Sequence, residues 1–390
     1  MPDNPFIPSF GVSPLYLAGR DEALAAVKQV ALNLARTDYS RACLIVGSRG
    51  IGKTVLLNAV EDAGRQGDWL MVSTTASRGF LARMITEQLQ PMLDELRPGR
   101  GSKLSAEVRV GAPSVATGAV KIEEDDKAPA APSLRRSIFD ICEAAPERGL
   151  LFTIDEIGTR ARDELEEFAT VYQHAVREGL NVAVVMCGIP ANINPLVDAN
   201  AGPVTFLNRA RRVDIDLLPK MVARAAFEET IGLRATRTGE TDAIDRMVSI
   251  ARGYPLLIQE VGNKAWDVRP DAPTISLTDV ESIEPAAMAA MFDSVLQPIY
   301  RSLAPGLRAA LYVLATDEQV TTSQMATRLG REITAVSGIQ QRLVQSGVAV
   351  RTERGRMRIV VPYLGAYVLG LGEPDERTQT RLDVLDEYDS

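Results

Sequence analysis

The segment GSRGIGKT at residues 47–54 combines residue types and a spacing that suit phosphate binding. Gly47, Gly52, Lys53 and Thr54 fit the pattern G-x-x-x-x-G-K-[ST]. A hydrophobic run precedes the segment and a helical pattern follows it, so its backbone N–H groups and the helix N-terminus should point together at a bound anion. Lys53 would contact the β- and γ-phosphates of a nucleotide, and Thr54 would bind Mg²⁺. The alternative is a flexible strand-to-helix turn with an accidental Lys-Thr pair.

The other residues of this loop are expected to contact the same nucleotide. They are Ser48, Arg49, Gly50, Ile51 and, just beyond the pattern, Val55. A guanine nucleotide would call for the pattern N-K-x-D, and the nearest match, NKAWD from Asn263, is one residue too long and lies in a helical pattern. Adenine is therefore favoured, and ATP or ADP with Mg²⁺ are the predicted ligands.

A pair of acidic residues follows another hydrophobic run, in the segment LLFTIDEIG. Asp155 comes directly after the apolar part of the run and can hold the Mg²⁺ shell through water. Glu156 is then placed to polarise an attacking water, because a carboxylate beside the metal site can serve as the general base for hydrolysis. The alternative is an ordinary Asp-Glu helix cap.

Five hydrophobic runs of strand length indicate the element that would position these residues. They are ACLIV (42–46), WLMVST (69–74), LLFTI (150–154), VAVVMC (182–187) and VDIDL (213–217). Most are apolar throughout, as in strands buried on both faces, and helical patterns lie between them. The pattern predicts an α/β fold with a parallel five-stranded sheet of the P-loop NTPase type.

The rest of the chain divides into segments of different composition. We predict a P-loop domain at 1–218, with an insertion rich in Gly, Ala, Pro and Ser at 98–133. A helical lid domain is predicted at 219–287, a further domain at 288–370 and an acidic disordered tail at 371–390. The insertion contains two β-prone pieces, AEVRV and GAVKI, which either pair as a hairpin or belong to a disordered loop.

Composition excludes several other classes of protein. The 390 residues contain no apolar run of the 18 or so residues that a membrane span requires, and the N-terminus lacks the pattern of a secretory signal. The three cysteines are far apart, without the spacing of a zinc site or a disulfide framework. The single histidine, His174, lies four residues before Glu178 and is expected to be solvated or capped rather than a metal ligand. We expect a cytoplasmic chain with no membrane partner.

With these motifs placed, residues 5–368 resemble the STAND and origin-recognition-like branch of the AAA+ ATPases, especially bacterial ATP-binding proteins of that branch with a C-terminal winged helix. The segment NPFIPSFGVSPLYLAGRDEAL is similar to the opening box of the family. That resemblance implies that Leu17, Gly19 and Arg20 fold over the adenine. Without it, the segment reads as a proline-rich lead into a helix.

Three more segments carry the resemblance. In the family, the strand that follows the Asp-Glu strand ends in a polar residue that senses the γ-phosphate. Here Cys187 and Gly188 occupy that place, so γ-phosphate sensing depends on whether Asn192 reaches back. The segment TFLNRARRVDIDLLP is similar to the family's Phe-x-x-Arg segment. Arg209 is therefore a candidate to contact a phosphate, in cis or across subunits. The alternative is a plain surface cation. GYPLLIQ resembles the Gly-x-Pro motif of STAND proteins, so Pro255 would pack near the adenine, and this departure from the motor-type pattern favours a switch.

Residues 305–368 show three helical patterns and then a hairpin pattern, VAVRTERGRMRIVVP, which together predict a winged helix-turn-helix. Thr322 or Ser323 is expected to cap its second helix, and Gly330 to end it. Residues 300–370 contain nine Arg and four acidic residues, a local charge of +5 in a chain of −8. The candidate DNA contacts are Arg331, Arg342, Arg351, Arg354, Arg356 and Arg358, with Thr334, Ser337, Gln340 and Gln341 as base readers.

The predicted function is an ATP-binding and ATP-hydrolysing switch whose nucleotide state controls the winged helix. The partner of that helix is either double-stranded DNA or protein, and docking on the chain's own ATPase domain is an equal alternative to DNA binding. Two other functions stay open: a regulatory module that holds nucleotide without useful turnover, and a ring-forming remodelling ATPase built from copies of the chain.

Overall fold

Five parallel strands form the central sheet. The structure, a computed structural model, describes residues 4–9, 11–32, 41–98, 133–197, 207–233, 237–317, 319–352 and 355–371. The strands are β1 (Ala42–Val46), β2 (Leu70–Thr75), β3 (Leu150–Asp155), β4 (Val182–Gly188) and β5 (Arg211–Asp214). Their order is β2-β3-β4-β1-β5, and every pairing between them is parallel. The predicted α/β fold with a five-stranded parallel sheet is confirmed.

Strand burial follows the apolar runs in the three inner strands, whereas both edge strands are partly exposed; only two of the six residues of β2 are buried. All residues of β1 and β4 are buried, as are all but the last of β3. The fifth strand was predicted at 213–217 but spans Arg211–Asp214, and three of its four residues are exposed. It ends early because its only strand partner, β1, ends at Val46, which pairs with Asp214.

Helices cover both faces of the sheet. Among the described residues of this part of the chain, the helices are α1 (Asp21–Ala31), α2 (Lys53–Gln66), α3 (Phe80–Arg83), α4 (Gln90–Leu96), α5 (Leu134–Ala144), α6 (Arg162–Arg177) and α7 (Pro190–Val197). A π-helical segment, Met84–Leu89, joins α3 to α4, and a 3₁₀ turn, Thr159–Ala161, precedes α6. Helices α1 and α2 pack on one face, where Leu56 and Ile45 share a core. Helices α3 to α7 pack on the other, where the rings of Phe152 and Phe168 lie 5.3 Å apart.

The chain beyond β5 becomes helical, as predicted. The lid helices are α8 (Lys220–Gly232), α9 (Thr241–Ala251), α10 (Pro255–Val268) and α11 (Leu277–Met291). Two short strands, β6 (Thr238–Gly239) and β7 (Thr274–Ile275), pair in parallel between them. The sequence shows helical patterns at 220–233, 241–253 and 254–268, and the first three lid helices match them to within two residues at each end.

The C-terminal module has the predicted order of three helices and a hairpin. It comprises α13 (Pro305–Thr316), α14 (Thr322–Leu329), α15 (Ile333–Gln345), β8 (Ala349–Arg351), β9 (Met357–Ile359) and α16 (Leu364–Leu371). Strands β8 and β9 are antiparallel, and Val320 adds a bridge to Met357.

One helix cap in this module was predicted wrongly and one correctly. The N-cap of α14 is Thr321, not Thr322 or Ser323, because Thr321 and Gln324 form a reciprocal capping box that satisfies two N-terminal backbone donors. The Thr321 hydroxyl accepts from the Gln324 N–H, and the Gln324 side chain accepts from the Thr321 N–H. Gly330 ends the helix in the left-handed conformation, as expected.

The lid helices and the C-terminal module are joined by a continuous helix. Helix α11 runs through a π-helical segment, Phe292–Leu296, into α12 (Gln297–Ser302), so the predicted boundary at 287/288 falls inside helical structure. One cluster of buried side chains extends from Leu218 to Val368 and includes residues of both parts. The division into domains otherwise stays a prediction, and the insertion at 98–133 and the tail at 371–390 lie almost wholly outside the described residues.

The C-terminal module contacts both other parts of the chain. A Cβ at Gly347, after α15, would lie 3.4 Å from the ring of Pro190 at the start of α7. On the lid, the Tyr363 hydroxyl donates to the Ile250 carbonyl at 2.7 Å, and the Arg252 guanidinium lies 4.1 Å from the centre of the Tyr363 ring. Within the described part of the chain, no helix has the length and apolar character needed to cross a membrane.

Candidate nucleotide-binding site

The glycine-rich loop joins β1 to α2 at the carboxyl edge of the sheet. Lys53 is the first residue of α2, and Gly52 before it has a φ of +95°, a conformation that other residues adopt only with strain. The first backbone N–H groups of α2 have no partner inside the helix and face an approaching anion. The structure therefore places the loop at a helix N-terminus, as the sequence predicted.

Lys53 is nearly buried and bonded to the loop itself. Its Nζ donates to the carbonyl oxygens of Gly47 at 3.1 Å and Ser48 at 2.7 Å. Burial lowers the pKa of Lys53, and the neighbouring Cys187, Asp155 and Glu156 oppose that shift. A cation held in such a poorly solvated position gains most from a ligand that brings negative charge.

The two predicted metal ligands lie in direct contact. The Thr54 hydroxyl donates to Asp155 Oδ2 at 2.7 Å, although the two residues come from different elements, α2 and the end of β3. The pair brings a hydroxyl and a carboxylate to one point, and Mg²⁺ prefers oxygen donors of these kinds. The donor set thus fits the ion, and Thr54 and Asp155 are the residues that would hold it.

Glu156 has a backbone conformation that is unusual for a non-glycine residue. Its φ is +54°, and its N–H donates to Asp155 Oδ1 at 2.6 Å. Strain of this kind persists only where the surroundings enforce it, and it is common at functional sites. The turn directs the backbone sharply away from β3 and leaves the Glu156 side chain exposed at the rim of the site.

Cys187 contacts Asp155, a contact that the sequence did not predict. Its thiol donates to Asp155 Oδ1 at 2.7 Å. Burial, followed by the charge of Asp155, raises the pKa of this thiol well above its usual range, so it stays a neutral donor. The register of β3 and β4 accounts for this contact. Ile154 pairs with Met186, so the next residues of the two strands, Asp155 and Cys187, are neighbours. In the family that the sequence resembles, this strand-end position is polar. Here it is Cys187, whose thiol donates a hydrogen bond to Asp155.

A cavity of about 920 Å³ opens beside these residues. Its walls come from the N-terminal segment, the loop, the carboxyl edge of the sheet and the lid. Of the predicted site residues, the following line it: Leu17, Arg20, Arg49, Gly50, Ile51, Gly52, Lys53, Thr54, Val55, Asp155, Glu156, Asn192 and Pro255. Thr75, Ser77, Arg78 and Arg160 also line it and were not predicted. The volume lies within the range of ordinary ligand sites.

The opening segment contacts the loop as well as the cavity. The buried Arg20 donates through Nη2 to the Ile51 carbonyl at 3.0 Å and to the Asp216 carbonyl at 2.8 Å. Arg20 therefore fastens the loop to the chain after β5. Gly19 instead faces α8, since a Cβ there would lie 2.6 Å from the Val222 side chain. Leu17 lines the cavity and Gly19 lies behind it.

Arg209 lies away from this cavity. It occupies the turn before β5, at the amino edge of the sheet, whereas the loop lies at the carboxyl edge. Arg209 is not among the described residues that line the cavity. A contact between Arg209 and a phosphate, in the same chain or across subunits, stays a prediction.

The candidate DNA residues form an exposed group on the C-terminal module. Arg331, Arg342, Arg351, Arg356 and Arg358 are exposed, and Arg354 lies outside the described residues. The prediction of Gln340 as an exposed base reader is wrong. Its side chain is 1% exposed and accepts from the Thr322 hydroxyl at 3.1 Å, because it lies on the same helix face as Val336 and Leu343. Thr334, Ser337 and Gln341 are exposed as expected.

Comparisons with known proteins agree with this architecture. Residues 16–185 match the family described as AAA ATPase domain, and residues 293–368 match a domain of unknown function (DUF8462). A comparison with curated proteins gives no match. The chain is similar in structure to a Walker-type ATPase of Pyrococcus abyssi, with a TM-score of 0.61, 14% identity, and coverage of 90% of this chain and 96% of that one.

Two further solved structures are similar at lower TM-scores. Cdc6p from Pyrobaculum aerophilum has a TM-score of 0.46 and 13% identity, covering 93% of this chain and 96% of that one. The ORC1 protein of Aeropyrum pernix, solved in complex with DNA, has a TM-score of 0.43 and 14% identity, covering 94% and 95%.

The sheet order, the loop and the matched region together define the class of the fold. It is that of an AAA+ P-loop NTPase, as the sequence predicted. The AAA ATPase domain match over residues 16–185 supports a nucleotide-dependent ATPase.

Proposed function

We propose that this protein is a Mg²⁺-dependent ATPase of the STAND or origin-recognition-like kind, which acts as a switch. One observation carries the proposal. Lys53, Thr54 and Asp155 line the same cavity as Pro255, the first residue of lid helix α10. A ligand held by the loop would therefore touch the lid as well, so its presence and chemical state would change how the lid packs.

Each residue of the site has a separate role in the proposed ATP hydrolysis. The N–H groups at the start of α2 and the Lys53 ammonium bind the β- and γ-phosphates, while Thr54 and Asp155 hold Mg²⁺, which neutralises charge that develops on the phosphates when bound. Glu156 takes a proton from the attacking water, because its carboxylate is exposed at the rim next to Asp155. Leu17 and Pro255, which both line the cavity, contact the adenine.

The contacts of the C-terminal module suggest how the switch is read out. The module, which we propose to be a winged helix, lies against Pro190, two residues after Gly188 at the end of β4. Asn192, also on α7, lines the nucleotide cavity. A change at the phosphate end of the cavity would thus act on the helix that holds the module, and hydrolysis or exchange would release it to bind DNA or a protein.

The analysis of bound nucleotide tests the proposal most directly. The purified protein should release ADP or ATP on denaturation, and turnover should be measured on the same preparation. Bound adenine nucleotide with slow turnover supports the switch. Bound nucleotide with no turnover at all would favour the regulatory module without catalysis, and absence of binding to added Mg-ATP would refute the proposal.

A ring-forming ATPase is the second candidate, and the position of Arg209 favours considering it. Arg209 is exposed and is not among the described lining residues of its own cavity, so it would contact a nucleotide held by a neighbouring copy. Arg209→Ala should then lower turnover in proportion to the assembled fraction and leave ATP affinity unchanged. Equal turnover of the two proteins at every concentration would exclude this role.

DNA binding by the module would depend on the arginines of its hairpin. Replacing Arg354, Arg356 and Arg358 with alanine should weaken binding similarly for every DNA sequence and reduce the slope of log affinity against log salt by about 2 to 3, because each phosphate contact contributes about 0.9. Titration of labelled duplex at several salt concentrations measures both quantities. Arg135, Arg136 and Arg177 are exposed on α5 and α6, and replacing them gives a control with the same change in net charge. Equal loss in the control would contradict a specific site.

Removal of the Cys187 thiol should weaken the metal site. Cys187→Ala deletes one of the donors to Asp155, and loss of such supporting hydrogen bonds typically lowers metal affinity by about 10- to 100-fold. The Mg²⁺ concentration needed for half-maximal ATP binding should rise accordingly, while Cys187→Ser, which keeps a donor, should stay near wild type. Cys142→Ala is the matched control, since Cys142 is a buried thiol on α5. An unchanged Mg²⁺ requirement in Cys187→Ala would show that this contact is only structural.

A further inference from the structure

Tyr254 connects the lid to the phosphate loop. It is the residue before Pro255 at the start of α10, and its side chain is fully buried. Its hydroxyl donates to the backbone carbonyl of Arg49. Its ring lies against Gly50, where an added Cβ would come within 2.9 Å of it. A lid residue thus contacts two consecutive residues of the loop.

The hydrogen bond to Arg49 fixes the direction of a neighbouring N–H. The Arg49 carbonyl and the Gly50 N–H belong to one planar trans peptide unit, in which the C=O and the N–H point in opposite directions. Arg49 and Gly50 line the cavity, whereas Tyr254 is not among its described lining residues. With the carbonyl turned toward the Tyr254 hydroxyl, the Gly50 N–H points away from that hydroxyl. The φ of +72° at Gly50 allows this turn at little cost.

The position of the Tyr254 hydroxyl depends on the lid backbone. The Leu218 N–H donates to the Gly253 carbonyl at 2.8 Å, and a Cβ at Gly253 would lie 2.1 Å from the Leu218 carbonyl oxygen. Tyr254 is therefore attached to the segment that links β5 to α8. Burial raises the pKa of Tyr254 above its usual range, so the hydroxyl remains a donor.

We propose that Tyr254 is a positioning residue that aims the Gly50 N–H at the β-phosphate and so makes phosphate affinity depend on the packing of the lid. The proposal rests on the proposed function, because it assumes that the loop binds ATP or ADP. Movement of the lid would withdraw the hydroxyl, free the peptide unit to rotate and weaken the phosphate contact. By linkage, a bound phosphate stabilises the packed lid by the same factor.

The test compares two tyrosines whose hydroxyls each donate to a backbone carbonyl. Tyr254→Phe keeps the ring against Gly50 and removes the hydroxyl. Tyr363→Phe is the control, because it removes a hydrogen bond of the same kind, to the Ile250 carbonyl, and neither residue is among the described lining of the cavity. We expect Tyr254→Phe to bind ADP about threefold to tenfold more weakly than wild type, the usual range for losing one neutral hydrogen bond. Tyr363→Phe should bind ADP as wild type does.

A second measurement separates positioning from a general loss of structure. In protein labelled with ¹⁵N-glycine, added ADP should move the Gly50 amide resonance strongly downfield in wild type. In Tyr254→Phe that shift should fall by about half or more, while the shift of Gly52 is retained, since the Gly52 N–H has no bond to Tyr254. The two resonances are assigned from the spectra of Gly50→Ser and Gly52→Ala.

Each result decides one question. Reduced ADP affinity together with a selectively reduced Gly50 shift supports the role of Tyr254. Unchanged affinity, or equal losses of the Gly50 and Gly52 shifts, overturns it, even if wild type binds ADP well. If wild type does not bind ADP and Lys53→Ala behaves identically, the proposed function itself fails, and this inference fails with it.

Discussion

Replacing Lys53 with alanine should abolish ATP binding and leave the fold intact. Among residues 47–54, the Lys53 ammonium is the one full positive charge that is buried. Charge interactions are weakly screened at a buried position. We expect the dissociation constant for Mg-ATP to rise by about 100-fold or more, since several kcal/mol of phosphate binding depend on that charge. Calorimetric titration measures it directly.

The fold of this variant should survive because Lys53 bonds only to loop carbonyls, which solvent can then satisfy. Lys28→Ala, on α1 and outside the cavity, controls for the loss of one lysine. Thermal unfolding without nucleotide should be similar for wild type and both variants. A folded Lys53→Ala protein with the ATP affinity of wild type would end the assignment of residues 47–54 as a phosphate loop.

Replacing Glu156 with glutamine should preserve Mg-ATP binding and lower hydrolysis by about 100-fold or more, the usual scale for losing a general base. The change keeps the side-chain size and removes the group that accepts the proton. It also leaves the backbone N–H bond from residue 156 to Asp155 in place. Single-turnover hydrolysis of labelled ATP, with binding measured separately, distinguishes the two effects.

The exposed Glu178 after α6 offers the matched control, because Glu178→Gln makes the same chemical change outside the site. Hydrolysis that is equal in wild type and Glu156→Gln, with measurable turnover in both, would remove Glu156 from the mechanism. Zero turnover in both would instead indicate the nucleotide-holding module without catalysis.

The sequence was most informative where a residue's role follows from its neighbours along the chain. The five apolar runs identified the strands because parallel strands covered on both faces have few polar residues. Thr54 and Asp155 could be paired in advance, since each follows a strand and the carboxyl ends of parallel strands lie at one edge of a sheet. Their observed contact of 2.7 Å agrees with that expectation.

Contacts between distant parts of the chain were less predictable. Tyr254 reaches the Arg49 carbonyl only because of how the lid packs on the loop, and no local pattern encodes that packing. Gln340 was misjudged because a single polar residue on an apolar helix face can be buried when Thr322 provides a partner. The role of Arg209 stayed open between a phosphate contact and a plain surface cation, because a sequence motif does not show at which edge of the sheet a residue lies.

The continuous helical segment from Leu277 to Ser302 would transmit a rotation of the lid over a long distance. At about 1.5 Å per residue it is roughly 39 Å long, and its two ends are embedded in the same cluster of buried side chains. If the lid tilts by about 10° about the segment after β5, the far end of such an arm travels about 7 Å, the scale of hinge motions that separate packed surfaces. That displacement exceeds the 3.4 Å that would separate a Cβ at Gly347 from the ring of Pro190. A small rotation of the lid would thus be enlarged into separation of the C-terminal module from α7.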